Sequence, residues 1–242
     1  PKPQNPIAFD INCNYYKMKT ALMALGLVNA QVPIPTHTPG WQIGNPVADI
    51  EIRFFYDLLC PASKASHYQF KPVLDMDSTF PGKKWRDVLN VKVTPVVLPY
   101  HLHSYQVTQV VPYLFDVCAA DQSKCSLLDS YAELAWANLD WIVADTAESE
   151  VQFEAKWAGM INQKFPEIPT NEIMGLFQNG THNTDQRVRG YWKYATSIDI
   201  NATPSVYMNG VNMGGDAPYT TQDWTGYLNY MYPAQKEDEF LQ

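Results

Sequence analysis

Between Asp49 and Leu59 the chain reads DIEIRFFYDLL, and the next four residues are Cys60-Pro61-Ala62-Ser63. Ile50, Ile52, Phe54 and Phe55 put β-branched and aromatic side chains on both faces of an extended segment. A strand of that kind is buried on both sides, as in the middle of a parallel or mixed sheet. The spacing then becomes helical, with Ala62, Ser66, Phe70, Val73 and Leu74 along one face. Proline suits the first helical position, where a backbone N–H would be unpaired anyway, so Cys60 falls at the N-cap. A buried strand that passes into a helix through a Cys-Pro step leaves few folds open.

The rest of the chain narrows them further. Residues 31–46 are rich in proline and glycine and read as a lead-in without regular structure. After the turn FPGKKW a second strand is expected over Val91–Tyr100, and strand, helix and parallel strand together require a right-handed crossover. From about His101 to Ser197 the pattern is helical, with Leu127, Leu128, Tyr131, Leu134, Ala135 and Ile142 recurring at helical spacing. Further helices fit Ser149–Gln163, Asn171–Gln178 and Thr184–Thr196, the last capped by Asn183 with Gln186 three residues on. Extended character returns at PSVYM, and Asn209-Gly210 before VNM is a strong hairpin signal. A helix over Thr221–Met231 follows. At 242 residues this is one large domain or a domain carrying an insert.

A thiol reacts as its thiolate, so a reactive cysteine needs surroundings that favour negative charge. Cys60 has the free amides and positive dipole end of a helix N-terminus, and the following proline should leave its sulfur exposed where the strand ends. The other cysteines are Cys13, Cys118 and Cys125. On one continuous helix the α carbons of Cys118 and Cys125 would stand roughly 10 Å apart, beyond the roughly 7 Å a disulfide tolerates. The intervening AADQSK is compatible with a turn, so a bridge across a helix-loop-helix is open, as are two free buried thiols. Cys13 could resolve Cys60 from the N-terminal segment, although an unrelated cysteine is the simpler reading. His101 and His103 could pair on a metal, but no cysteine or carboxylate cluster is near them in sequence, which favours packing roles. No metal and no cofactor is implied.

The formal net charge of -8 opposes binding to a polyanion, so nucleic acid is not an expected partner. No apolar run approaches the roughly 20 residues a membrane span requires. Met18 to Ala30, MKTALMALGLVNA, has the layout of a secretory signal, or alternatively forms an N-terminal helix with Met18, Ala21, Leu22, Leu25 and Val28 on one face. Asn179-Gly180-Thr181 is a glycosylation acceptor triplet; Asn201-Ala202-Thr203 is another, but a glycan there would crowd Pro204. These features point to the secretory pathway or the extracellular space.

FYDLLCPASK, the helix and strand after it, the helical stretch of about a hundred residues and the distant ATPSVYMNG together resemble the DsbA-like branch of the thioredoxin superfamily, over roughly residues 41–235. The resemblance implies an α/β thioredoxin-like fold with an inserted all-helical subdomain. Residues 41–100 and 197–242 would form the thioredoxin-like part, residues 101–196 the insertion and residues 1–40 an N-terminal segment. It also implies that Cys60 is the nucleophile and that Pro204 is a cis-proline facing it. Pro61, Ala62 and Thr203 would then border the groove for a substrate backbone.

The departure from the family is Ser63, which stands where the second, resolving cysteine is expected. A lone Cys60 cannot close a disulfide within the motif, but it can form mixed disulfides with protein or peptide thiols and disulfides, or with glutathione. Ser63 would donate a hydrogen bond to the thiolate. The reading is therefore a single-cysteine thiol–disulfide oxidoreductase or isomerase. Two others stand beside it: a non-catalytic chaperone-like or structural binding protein, and a kappa-like glutathione transferase, whose catalytic serine would occupy the position of Cys60.

Overall fold

The computed structural model describes residues 38–144, 146–178, 180–214 and 220–234. The chain divides into two units, Pro1–Ile34 and Pro35–Gln242, and the described residues all lie in the second. Cys13, the signal-like stretch 18–30 and Asn179 lie outside them.

Five strands form one mixed sheet: β1 (Trp41–Gln42), β2 (Ile50–Tyr56), β3 (Leu89–Pro95), β4 (Ser205–Met208) and β5 (Val211–Asn212), in the order β1-β3-β2-β4-β5. The β2 strand is central. It runs parallel to β3, with Ile52 opposite Val91, and antiparallel to β4, with Phe54 opposite Val206. Both of its faces are covered, as its composition requires: Ile52, Phe54 and Tyr56 enter the main core, while Phe55 packs with Val96, Leu98, Ala195 and Ile200 in a second cluster.

The helix α1 (Pro61–Phe70) follows β2 and runs into a 3-10 turn, Lys71–Asp75, before the short helix α2 (Trp85–Val88). On the main-core face Phe54 meets Phe70 at 4.7 Å and Trp224 at 5.8 Å between ring centres. Trp224 belongs to the C-terminal helix α9 (Thr221–Met231), which starts where the sequence places it because Thr220 and Asp223 form a reciprocal capping box. The β3 strand stops at Pro95, short of the expected Tyr100. Val96 still donates to the Tyr56 carbonyl, but two residues on the Leu98 amide goes to the Asp57 carboxyl at 2.7 Å, and the chain leaves the sheet.

Between β3 and β4 the chain is helical: α3 (Ser104–Ala120), α4 (Ser126–Ala137), α5 (Leu139–Ala144), α6 (Glu150–Lys164), α7 (Thr170–Gln178) and α8 (Thr184–Ser197). Tyr131 of α4 joins two of its neighbours, donating to the Val107 carbonyl at 2.5 Å and accepting from the Trp157 indole at 3.1 Å. Ser149 caps α6 as a capping box with Gln152. Asn183 does not cap α8 through its side chain, because Gly180, His182 and Asn183 all take left-handed conformations in the turn before it. The Asn209-Gly210 turn has φ 49° and 79°, and this pair of positive φ values explains the preference for Asn-Gly.

Cys118 and Cys125 are joined by a disulfide with their α carbons 4.4 Å apart. The helix breaks at Asp121, whose carboxylate accepts from the Ser123 amide and hydroxyl, and this reversal brings the two cysteines together. Among the described residues no helix is long and apolar enough to cross a membrane.

Joint replacement of Cys118 and Cys125 by serine is expected to cost about 2.5 kcal/mol of unfolding free energy, the loop entropy of so short a closed ring. Urea unfolding measures it. An unchanged midpoint would show that the clasp does not constrain the unfolded chain.

Candidate active site

Cys60 is the N-cap of α1, with extended backbone angles and Pro61 at the first helical position. Its amide donates to the Asp57 carbonyl and its carbonyl accepts from the Lys64 amide, each at 3.1 Å, so both sides of the residue are held. The pairing of Phe55 with Ser205 brings the segment just before β4 alongside the end of β2. The Thr203–Pro204 peptide bond in that segment is cis, and the Cys60 Sγ–H donates to the Thr203 carbonyl at 3.2 Å. Residues 143 positions apart thus share one site. Pro61 is exposed at its edge, Ala62 and Thr203 are half-buried and Pro204 is buried.

Two expectations about this site are corrected. Cys60 is 6% exposed, not open to solvent, because its thiol turns inward to the Thr203 carbonyl. Ser63 is fully buried, and its hydroxyl has no hydrogen-bond partner among the described residues, so it does not bond to the sulfur. The hydroxyl of Thr203 is likewise buried without a partner. The sulfur thus stands at the head of α1 with its S–H directed at the Thr203 carbonyl.

The reading from sequence missed Asp57. Three residues before Cys60, it is fully buried and its carboxyl organises the turn. Oδ1 accepts from the Leu59 amide at 2.7 Å and from the Ser104 hydroxyl at 2.8 Å, and Oδ2 accepts from the Leu98 amide at 2.7 Å. One side chain thus ties the approach to Cys60, the segment leaving β3 and the first turn of α3. The signal was present: an acidic residue interrupts the apolar run FFYDLL at a strand end, where burial demands partners.

The two histidines after β3 make different contacts. His101 Nδ1 lies 3.1 Å from Asp57 Oδ2, out of hydrogen-bond alignment, while the His103 ring stacks on Phe153 with 3.8 Å between centres.

No family model matches this chain, and neither does any curated protein. Solved structures do. The chain is similar to DsbA of Chlamydia trachomatis, with 14% identity and a TM-score of 0.56 over 83% of this chain and 94% of that one. It is similar to alpha-DsbA1 of Wolbachia pipientis, with 13% identity and a TM-score of 0.57 over 83% of this chain and 92% of that one. Oxidised BdbD of Bacillus subtilis matches 81% of this chain and 98% of its own at 14% identity, with a TM-score of 0.50. At such identities the likeness is one of fold. The chain has the DsbA-like thioredoxin fold with a helical insertion.

Asp57→Leu would leave the Leu59 amide, the Leu98 amide and the Ser104 hydroxyl without their acceptor. The expected loss is at least about 3 kcal/mol by chemical denaturation, and Asp57→Asn, which keeps one carbonyl oxygen, should lose less. Equal losses would show that the one carbonyl oxygen Asn retains recovers none of these bonds.

Proposed function

We propose that this chain exchanges thiols and disulfides through Cys60 alone, acting on protein or peptide substrates as a reshuffling protein. The observation that carries the reading is the Cys60 thiol at the N-cap of α1, 3.2 Å from the Thr203 carbonyl. A helix N-terminus stabilises an attacking thiolate, and the bend at Thr203–Pro204 beside the sulfur leads into the strand Ser205–Met208, next to which a substrate segment can lie. The fold shared with DsbA and BdbD supports the same class.

In the first step the Cys60 thiolate attacks one sulfur of a substrate disulfide, forms a mixed disulfide and releases the other sulfur as a thiolate. With serine at position 63 nothing within the motif attacks in turn. A second thiol, from the substrate or from glutathione, displaces Cys60 and leaves a rearranged disulfide. No net oxidation results. The Cys118–Cys125 bridge supports an oxidising compartment, and with it a secretory or extracellular location.

One observation favours a second reading, a non-catalytic binding protein on the same fold: Cys60 is only 6% exposed. The two readings separate on a covalent readout. Incubation of the full chain with oxidised glutathione is expected to add one glutathionyl group at Cys60 by mass spectrometry, faster than to free cysteine at the same neutral pH. The adduct should be absent in Cys60→Ala. An unmodified Cys60, together with unaltered peptide binding in Cys60→Ala, would establish the non-catalytic reading.

Ser63→Cys provides a further test. It is expected to add net oxidation of a dithiol peptide, an activity the parent chain lacks, because a disulfide can then close within the motif. If Ser63→Cys reacts only as the parent does, the geometry at the head of α1 is unsuited to closure.

A further inference from the structure

Away from the thiol, α1 with its C-cap Lys71 faces α4 through two pairs of polar residues at i, i+4 spacing, His67 with Lys71 and Asp129 with Glu133. The His67 side chain is 1% exposed, and its ring is held among Trp136, Tyr56 and Tyr68 with centres 4.7, 6.1 and 5.7 Å away. Its Nε2 is buried and has no hydrogen-bond partner among the described residues. That nitrogen points between two carboxylates, 3.6 Å from Asp129 Oδ1 and 4.0 Å from Glu133 Oε1. Lys71 Nζ lies against the same pair, 2.6 Å from Asp129 Oδ2 and 2.5 Å from Glu133 Oε1. The Trp41 indole donates to Asp129 Oδ1 at 3.4 Å.

Two features of this cluster are left unexplained by folding alone. Two carboxylates share one ammonium, so beside a neutral imidazole the group carries a net negative charge. A neutral ring nitrogen aimed at carboxylates with no bond made is also an unused ligand position.

We propose that His67, Asp129 and Glu133 form a binding site for a divalent transition ion of the zinc class, with the Lys71 ammonium as its built-in competitor. The donor set is right for such an ion: one imidazole nitrogen and two carboxylates bind zinc and leave a fourth position for water. Zinc ligands in a tetrahedral shell stand roughly 3.3 Å apart. The three donor atoms here all lie within 4.8 Å of one another, so small side-chain movements close the shell. Lys71 is 41% exposed at its side chain and can swing into water, and two carboxylates then neutralise the ion's two charges. Calcium, which takes six to eight oxygens, has no use for the imidazole. Facing helices are a common frame for such sites. An ion here would clamp the helix that carries Cys60 to α4, beside the Lys64 bond to the Trp136 carbonyl at 2.8 Å.

The test is calorimetric titration of zinc chloride into the full chain carrying Cys60→Ser together with Cys13→Ser, which removes both cysteines outside the disulfide as ligands. One ion per chain is expected. Affinity should fall at least about tenfold in His67→Gln and Asp129→Asn, and rise at least about tenfold in Lys71→Met. Calcium chloride should give no heat of binding.

Lys71→Met keeps the proposal falsifiable if a buried-site variant fails to fold. Zinc should raise its melting temperature more than that of the chain retaining Lys71. The proposal is overturned by no zinc binding in the chain carrying Cys13→Ser and Cys60→Ser, by binding that His67→Gln leaves unchanged, or by weaker binding in Lys71→Met. These outcomes do not depend on whether Cys60 exchanges disulfides.

Discussion

The antiparallel pairing of β2 with β4 is the constraint on which the rest of the structure depends. It sets Phe54 opposite Val206 and Phe55 opposite Ser205, across a chain separation that includes eight α-helices among the described residues. Closing so long a loop carries an entropy cost that grows only slowly with its length, and burial of β2 on both faces outweighs it. Once the register is set, Thr203 has little freedom: two residues before Ser205, it must lie beside the end of β2, where Cys60 begins α1. A slip of one residue would turn the strand's faces over and move that carbonyl away from the sulfur.

Around that pairing the site is held by groups that do no chemistry themselves. Asp57 satisfies three donors from three separate segments, so the turn before Cys60, the departure from β3 and the start of α3 move together or not at all. The thiol sits between the head of α1 and the Thr203 carbonyl. With serine rather than cysteine at position 63, Cys60 closes no disulfide within the motif. The helical region contributes its own clasp, Cys118–Cys125, formed where Asp121 breaks the helix.

Much of this was legible in the residues, and the reason is locality. The β2 run, the N-cap placement of Cys60, the Asn209-Gly210 turn and α9 with its capping box depend on neighbours within a few positions. The misreadings are mostly of the opposite character, though the turn before Asn183 is itself local. β3 was expected to reach Tyr100, but a side chain 41 residues earlier, Asp57, takes the Leu98 amide. Asn183 looked like a cap, but the left-handed turn before it carries its side chain away. His67 is in sequence one histidine in a helix; its meaning comes from Asp129 and Glu133, 62 and 66 residues on.

By itself the sequence determined the elements and their chemistry: a strand apolar on both faces, a thiol at a helix start, a serine where a second thiol would complete a redox pair. Those follow from propensity, periodicity and residue type, which act over a few positions. Only the tertiary structure decided that the thiol turns inward to Thr203, that Ser63 is buried without a bond and that Asp57 joins three segments. Burial and hydrogen-bond partnership are properties of groups far apart in the chain, and they exist only once the sheet register and helix packing have brought those groups together.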